Sequence, residues 1–125
     1  WAGLTREVCR WLAAQVGGAA EAAYHASGHF AGSVPAVEWW PAVRGDTDLP
    51  MIFDSGIEGG LDMLRALALG ADFVMMGRAW HYGLGAIGAK GPAHLYDMLV
   101  DDLTSNMIQI AATHLSDLPD LLHKY

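Results

Sequence analysis

The 125-residue sequence predicts an α/β fold in which parallel strands alternate with helices. Two short apolar runs, at residues 50–54 and 72–77, have the length and composition of buried strands. A helical pattern follows each run, at residues 60–69 and 92–112, and glycines stand at the junctions. The order strand, helix, strand, helix implies a parallel sheet joined by right-handed crossovers, and ligands of such sheets bind at the carboxyl ends of the strands.

The first half of the chain gives weaker signals. Residues 4–16 have apolar side chains at helical spacing and end before two glycines, so we predict a helix there. Residues 19–26 fit either a helix or a short strand, and residues 27–35 have the composition of a loop. Residues 36–45 predict a short helix that breaks at Pro41, because proline lacks the amide hydrogen needed inside a helix.

The second half is more regular. Residues 50–54 predict a buried strand, and the non-alternating run 72–77 predicts a second strand buried on both faces. Residues 60–69 predict a helix that stops at Gly70, and residues 92–112 predict a longer one. The apolar side of the shorter helix consists of Leu61, Leu64, Leu67 and Ala68, and that of the longer helix of Leu95, Leu99, Leu103, Met107, Met98 and Ile110.

Composition narrows the class of function. Hydrophobic residues make up 53% of the chain and charged residues 17%, so the chain can bury a core. The net charge of -7 argues against nucleic acid and anionic membrane surfaces as partners. The single cysteine, Cys9, fits a reducing compartment, and neither a signal peptide nor a membrane-spanning run is visible. We therefore expect a cytoplasmic protein without a transmembrane segment.

The ends of the two predicted strands carry groups suited to a phosphate. The first strand is followed by Gly56, Gly59 and Gly60. Glycines let the backbone approach a ligand, and the amides that open the next helix carry partial positive charge. Gly77 leaves space after the second strand, and Arg78 offers a planar fork of donors for phosphate oxygens. The alternative is an ordinary turn in which Arg78 pairs with Asp54 or Asp62 as scaffolding.

These residues resemble the C-terminal part of a known family. The chain carries Asp54-Ser55-Gly56-Ile57, Gly60, Asp62, Arg65-Ala66-Leu67-Ala68-Leu69-Gly70-Ala71 and Gly77-Arg78. This pattern, followed by "HYGLGAIGAKG", resembles the FMN-dependent α-hydroxy-acid oxidases and dehydrogenases, which include glycolate oxidase, lactate oxidase, mandelate dehydrogenase and the respiratory L-lactate dehydrogenases. The resemblance runs from about Leu49 to Leu118.

The resemblance implies a fold, a cofactor and a set of cofactor-binding residues. The fold is the C-terminal part of a (βα)8 TIM barrel, in which residues 49–125 form the flavin-phosphate-binding βαβα part. Residues 1–48 form a poorly matched segment with a degenerate catalytic-histidine loop. The implied cofactor is FMN, held by Asp54, Ser55, Gly56, Gly77 and Arg78. The chain has Glu58 where the family pattern has an arginine, so Glu58 either points to solvent or lowers phosphate affinity.

The resemblance also implies a reaction, the oxidation of a small L-2-hydroxy acid to the 2-oxo acid. His25 matches the histidine that accepts a proton from the substrate, and His29 is its rival. An ordinary loop histidine is the alternative role for His25. The chain has no arginine between Arg10 and Arg44, so the family's substrate-binding arginine lacks a counterpart. No further metal ligands cluster with the two histidines, and we expect no metal site.

Two other interpretations stay open from the sequence. The chain could be a catalytically incomplete phosphate-binding barrel fragment or an assembly piece, or it could belong to another phosphate-binding TIM-barrel enzyme. The expected partners are a small 2-hydroxy-acid substrate and either further copies of the chain, in a homo-oligomer, or the remainder of the barrel.

Overall fold

The computed structural model describes residues 20–23, 36–45 and 48–122. A parallel sheet contains, in this order, β1 (Ala20–Ala23), β2 (Met51–Asp54) and β3 (Phe73–Val74). The helices are α1 (Ala36–Arg44), α2 (Gly60–Ala68), α3 (Arg78–Ile87) and α4 (Gly91–Gln109), with 3-10 helices at Gly88–Lys90 and Leu115–Leu121. The predicted α/β class and the parallel strands are confirmed. The predicted helix at residues 4–16, the loop at 27–35, His25 and His29 lie outside the described residues.

β1 resolves the helix-or-strand ambiguity in favour of a strand for the described residues 20–23. Ala20 lies opposite Met51 and Ala23 lies opposite Asp54, so β1 extends the sheet on the side of β2 away from β3. Local sequence does not decide between helix and strand here, and pairing with β2 determines the strand conformation.

The predicted break at Pro41 is wrong, because α1 continues to Arg44. The Gly45 amide donates to the Pro41 carbonyl at 3.1 Å, so the helix closes normally after the proline. Trp40 and Val43 on either side of Pro41 are buried. Their burial offsets the one amide hydrogen bond that the proline cannot make.

The main core lies between the sheet and helices α1 and α2. Trp40 is fully buried, meets the Phe53 ring edge-on at a centroid distance of 4.9 Å, and donates its indole hydrogen to the Leu69 carbonyl at 3.1 Å. Trp40 is therefore a core residue with a satisfied polar atom. A second cluster joins α2 to the C-terminal segment and consists of Leu64, Ala68, Ala112 and Leu118.

The predicted apolar faces of α2 and α4 are correct in part. Leu64 and Ala68 are buried as predicted, whereas Leu61 is exposed and Ala66 is buried in its place. Ala66 belongs to the sheet cluster and Leu64 to the second cluster, so α2 buries two sides rather than one. Leu99 on α4 is buried, but Met98 on the same helix and Ile110 directly after it, both predicted on the apolar face, are exposed.

The prediction that residues 72–77 form a strand buried on both faces is wrong for the described chain. Only Phe73–Val74 pair as a strand, and Phe73 is 61% exposed. The reason is position, because β3 is the edge of the three-stranded sheet and has a described neighbour on its β2 side only.

Helix α3 is an element that the sequence did not predict. Its two interior glycines, Gly83 and Gly85, lower helix propensity and obscure the apolar period. Gly83 has a packing role, because a Cβ atom there would lie 3.1 Å from the Gly91 carbonyl oxygen. A Cβ atom at Gly91 would overlap the Gly83 carbonyl. The two glycines therefore allow α3 and the start of α4 to pack backbone against backbone.

Candidate functional site

The carboxyl ends of all three strands meet at one edge of the sheet. Phe53 lies opposite Val74, and the Met75 amide continues the ladder by donating to the Phe53 carbonyl at 2.8 Å. Ala23, the last residue of β1, lies opposite Asp54. The predicted convergence of the two strand ends is thus present, with the end of β1 beside them.

The turn after β2 has two consecutive residues in the left-handed region. Ser55 has a φ of 88° and Gly56 a φ of 79°. A left-handed serine costs about 1 kcal/mol, and the Asp54 carboxylate supports the conformation by accepting the Ser55 amide at 2.8 Å. A Cβ atom built at Gly56 meets no atom of the described residues within 4 Å. The backbone conformation therefore favours glycine here, and the space beside it is open.

The chain after β3 brings a cation to the same edge. Gly77 precedes helix α3, and a Cβ atom placed on it again has no described neighbour within 4 Å. Arg78 is the first residue of α3, and its side chain is 65% exposed. Open backbone at two glycines and an accessible guanidinium together match the donors that a phosphate monoester requires.

Arg78 pairs with Glu58 rather than with either predicted aspartate. The guanidinium lies 3.6 Å from the Glu58 carboxylate, whose side chain is 73% exposed. Asp62 instead lies 3.5 Å from Arg65. An ion pair this exposed contributes only about 0.5 kcal/mol, because water screens it. Glu58 therefore faces solvent. Its carboxylate also pairs with the Arg78 guanidinium, the group that would otherwise be available to a phosphate.

Two amides near the start of α2 already donate to protein carboxylates, which corrects part of the predicted anion site. The Gly60 amide donates to Asp102 at 2.6 Å, and the Glu58 amide donates to Asp62 at 3.2 Å. A Cβ atom at Gly60 would overlap the backbone of Leu103. Gly60 thus serves helix packing rather than ligand approach.

Asp102 is a residue whose contact the sequence did not reveal. It is exposed and lies on the long helix α4, yet its carboxylate accepts the amide of Gly60, 42 residues earlier in the sequence. No local pattern links positions so far apart. The only available signal was the pair Gly59-Gly60, whose lack of side chains permits a close neighbour.

Two open cavities flank the strand ends. One, of about 210 Å³, borders the turn at Ser55 and Gly56 and has Asp62 and Arg65 on its wall. The other, of about 360 Å³, lies between the end of β3 and helices α2, α3 and α4, and it is lined mostly by apolar side chains, among them Trp80 and Leu99. The lining of neither cavity includes Arg78.

The remaining titratable groups do not form a second site. Within the described ranges, no three histidine, cysteine or acidic side chains are arranged to hold a metal ion. His114 begins the last 3-10 helix, and the His114 and Thr113 amides hold the pKa of the Asp117 carboxyl below its ordinary value of 3.8. None of the helices in the described part of the chain is long and apolar enough to cross a membrane.

Comparison with known proteins adds three kinds of similarity. The sequence profile of the FMN-dependent dehydrogenases matches residues 23–124. The L-lactate oxidase of Alicycliphilus denitrificans is 45% identical over 69 residues, which cover 55% of this chain and 19% of that protein. The L-lactate dehydrogenase of Acinetobacter baumannii is 44% identical over 77 residues, which cover 62% of this chain and 20% of that protein.

Among solved structures, the monotopic membrane protein (S)-mandelate dehydrogenase superposes with a TM-score of 0.87 and 29% identity. The superposition covers 98% of this chain and 33% of that one. The chain therefore spans about one fifth of the curated relatives and about one third of this structural neighbour.

Proposed function

The chain belongs to the family of FMN-dependent dehydrogenases, and from this membership we propose that it supplies the flavin-phosphate site of a 2-hydroxy-acid oxidase or dehydrogenase. The proposed substrate is a small L-2-hydroxy acid, as the names of the lactate-oxidising relatives suggest. The proposed fold of the whole is a (βα)8 barrel, in which residues 49–125 form the C-terminal βαβα part and residues 1–48 precede it. The observation that carries the proposal is the adjacency of the two strand ends.

The geometry of the strand ends supports a phosphate of FMN at this edge. Gly56 and Gly77 leave open space beside backbone amides, and Arg78 presents an accessible guanidinium. In the proposed arrangement Gly56, Gly77 and Arg78 hold the phosphate, while Asp54 and Ser55 face the ribityl chain. The carboxylate of Asp54 lies at the end of the central strand, where it can accept hydroxyl hydrogens.

Catalysis is proposed to use His25, with His29 as the rival. Ala23 lies beside Asp54 at the sheet edge, and His25 comes two residues later in the sequence. His25 would take the hydroxyl proton of the 2-hydroxy acid, since an imidazole is a suitable base near neutral pH. Bound FMN supplies the acceptor for the hydride equivalent from the substrate carbon, and the substrate leaves as the 2-oxo acid.

A second candidate function is a catalytically incomplete barrel piece that binds phosphate weakly. The Glu58–Arg78 pair favours it, because the carboxylate competes with a phosphate for the guanidinium. The missing arginine between Arg10 and Arg44 favours it as well. The two candidates differ in flavin content, since an active enzyme must retain FMN.

The test is flavin binding by the natural polypeptide and by Arg78→Ala. We expect the absorbance of protein-bound FMN in the parent protein and an affinity about 10- to 100-fold lower in the variant, because a charge-assisted contact is lost. Arg65→Ala is the matched control, since Arg65 is similarly exposed and pairs with Asp62. A protein that stays colourless with added FMN supports the incomplete piece, and equal losses in both variants contradict a specific role for Arg78.

The oligomeric state of the protein and its cellular compartment are predictions as well. We propose that β3 pairs with a further strand of the barrel, because Phe73 and Met75 expose apolar surface at its edge. The cytoplasmic location predicted from Cys9 and a homo-oligomeric state complete the proposal. Size-exclusion chromatography of the natural polypeptide tests the oligomer, and fractionation of the cell tests the compartment.

A further inference from the structure

The carboxylate of Asp102 ties the start of α2 to α4. Its Oδ2 atom accepts the Gly60 amide at 2.6 Å, a short distance typical of a charge-assisted hydrogen bond. Its Oδ1 atom accepts the amide of Asn106 at 3.0 Å, and the same Asn106 nitrogen also donates to the Asp102 carbonyl at 2.7 Å. Both carboxylate oxygens therefore have a donor, and the side chain has a defined orientation.

Steric contact reinforces this tie. A Cβ atom at Gly60 would overlap the backbone of Leu103, and one at Gly59 would lie 3.2 Å from the Asp102 carboxylate. The two glycines thus allow the start of α2 to rest directly on α4. The turn from Ser55 to Glu58 runs between this anchor and the end of β2, so both of its ends are fixed.

We infer that Asp102 is a positioning residue for the phosphate-binding turn, an inference that rests on the proposed FMN site. By holding Gly60 it restrains the turn in which Gly56 offers its backbone to the phosphate. By accepting a helix-start amide it also places a negative charge at the N-terminus of α2. The phosphate is then directed to the strand ends and Arg78 rather than to the helix terminus.

Two effects of the carboxylate oppose each other, and their balance can be measured. Loss of the restraint raises the ordering cost of the turn and weakens FMN binding. Loss of the negative charge removes repulsion and strengthens FMN binding. Riboflavin keeps the ribityl chain but lacks the phosphate, so both effects change its affinity less than that of FMN. The ratio of the FMN and riboflavin affinities therefore reports on the turn and not on general stability.

The experiment compares the dissociation constants of FMN and riboflavin for the natural polypeptide and for Asp102→Ala, by quenching of flavin fluorescence. We expect FMN binding to weaken about tenfold and riboflavin binding to change less than about twofold. Asp101→Ala is the matched control, because Asp101 is the preceding exposed acid on α4 and Ser105 bonds only to its carbonyl oxygen. We expect its affinity ratio to equal that of the parent.

Circular dichroism checks that each variant folds, and Asp102→Asn replaces the alanine variant if that one does not. Asparagine keeps an acceptor for Gly60, but a neutral amide oxygen holds that hydrogen bond more weakly than a carboxylate does. We expect the weaker restraint to outweigh the lost repulsion and to lower the FMN preference about threefold. An unchanged ratio, tighter FMN binding, or an equal effect of Asp101→Ala overturns the inference. A parent protein with no preference for FMN over riboflavin overturns the proposed function and the inference together.

Discussion

At the scale of single residues, Glu58 is the position where this chain and the family pattern differ most in charge. It places a carboxylate 3.6 Å from the guanidinium proposed to hold the phosphate. We predict that Glu58→Gln tightens FMN binding about threefold to tenfold, because the competing charge is removed while screening keeps the effect modest. Flavin titration measures it, with riboflavin as the control ligand. Weaker FMN binding by the variant would show that Glu58 supports the site.

His25 is the residue proposed to take the substrate proton. We predict that His25→Ala abolishes 2-hydroxy-acid turnover and leaves FMN bound, because the base is separate from the phosphate-binding residues. Turnover with lactate and flavin absorbance, measured on the same preparation, check both parts. His29→Ala is the matched control, and the assignment moves to His29 if only that variant loses turnover.

At the scale of secondary-structure elements, the contact between α3 and α4 depends on glycine. We predict that Gly91→Ala lowers the free energy of unfolding by about 1–3 kcal/mol, because its Cβ atom would overlap the Gly83 carbonyl. Gly85→Ala is the control on the same pair of helices, since its Cβ atom meets no described atom within 4 Å. The control is expected to gain about 0.5–1 kcal/mol from improved helix propensity. Urea denaturation compares them, and equal effects would contradict the close packing.

The elements also show what the sequence could predict. β2 and α2 were identified with nearly correct bounds, because β2 is a short apolar run and α2 buries apolar side chains at helical spacing. Helix α3 is not predicted because its two glycines lower helix propensity, and the contact of Gly83 with Gly91 is a requirement that periodicity does not display. The break predicted at Pro41 is wrong for a similar reason, because it depends on packing. The free energy gained by burying Trp40 outweighs the loss of one backbone hydrogen bond.

The candidate site was predictable where its residues directly follow predicted strands. Gly56, Gly77 and Arg78 were identified from their places after strands, and the sheet brings those places together. The pairing partner of Arg78 and the contact of Asp102 with Gly60 were not identified. Both depend on how separate elements pack, and no local pattern encodes them.

At the scale of the whole molecule, the described three-stranded sheet has an exposed apolar edge at β3. At the edge strand β3, Phe73 is 61% exposed, and Met75 directly after the strand is exposed as well. The matching solved structure is about three times as long as this chain. A barrel would cover this edge with another strand, which agrees with the parallel order and the position of the strand ends.

The most direct measurement is the position of the phosphate in a crystal structure of the natural polypeptide with FMN. The proposed site requires phosphate oxygens about 3 Å from the backbone nitrogens near Gly56 and Gly77 and from the Arg78 guanidinium. Glu58 should then lie farther from Arg78 than the present 3.6 Å. A phosphate bound at Arg65 or at the start of α2, with the Glu58–Arg78 pair intact, would contradict the account.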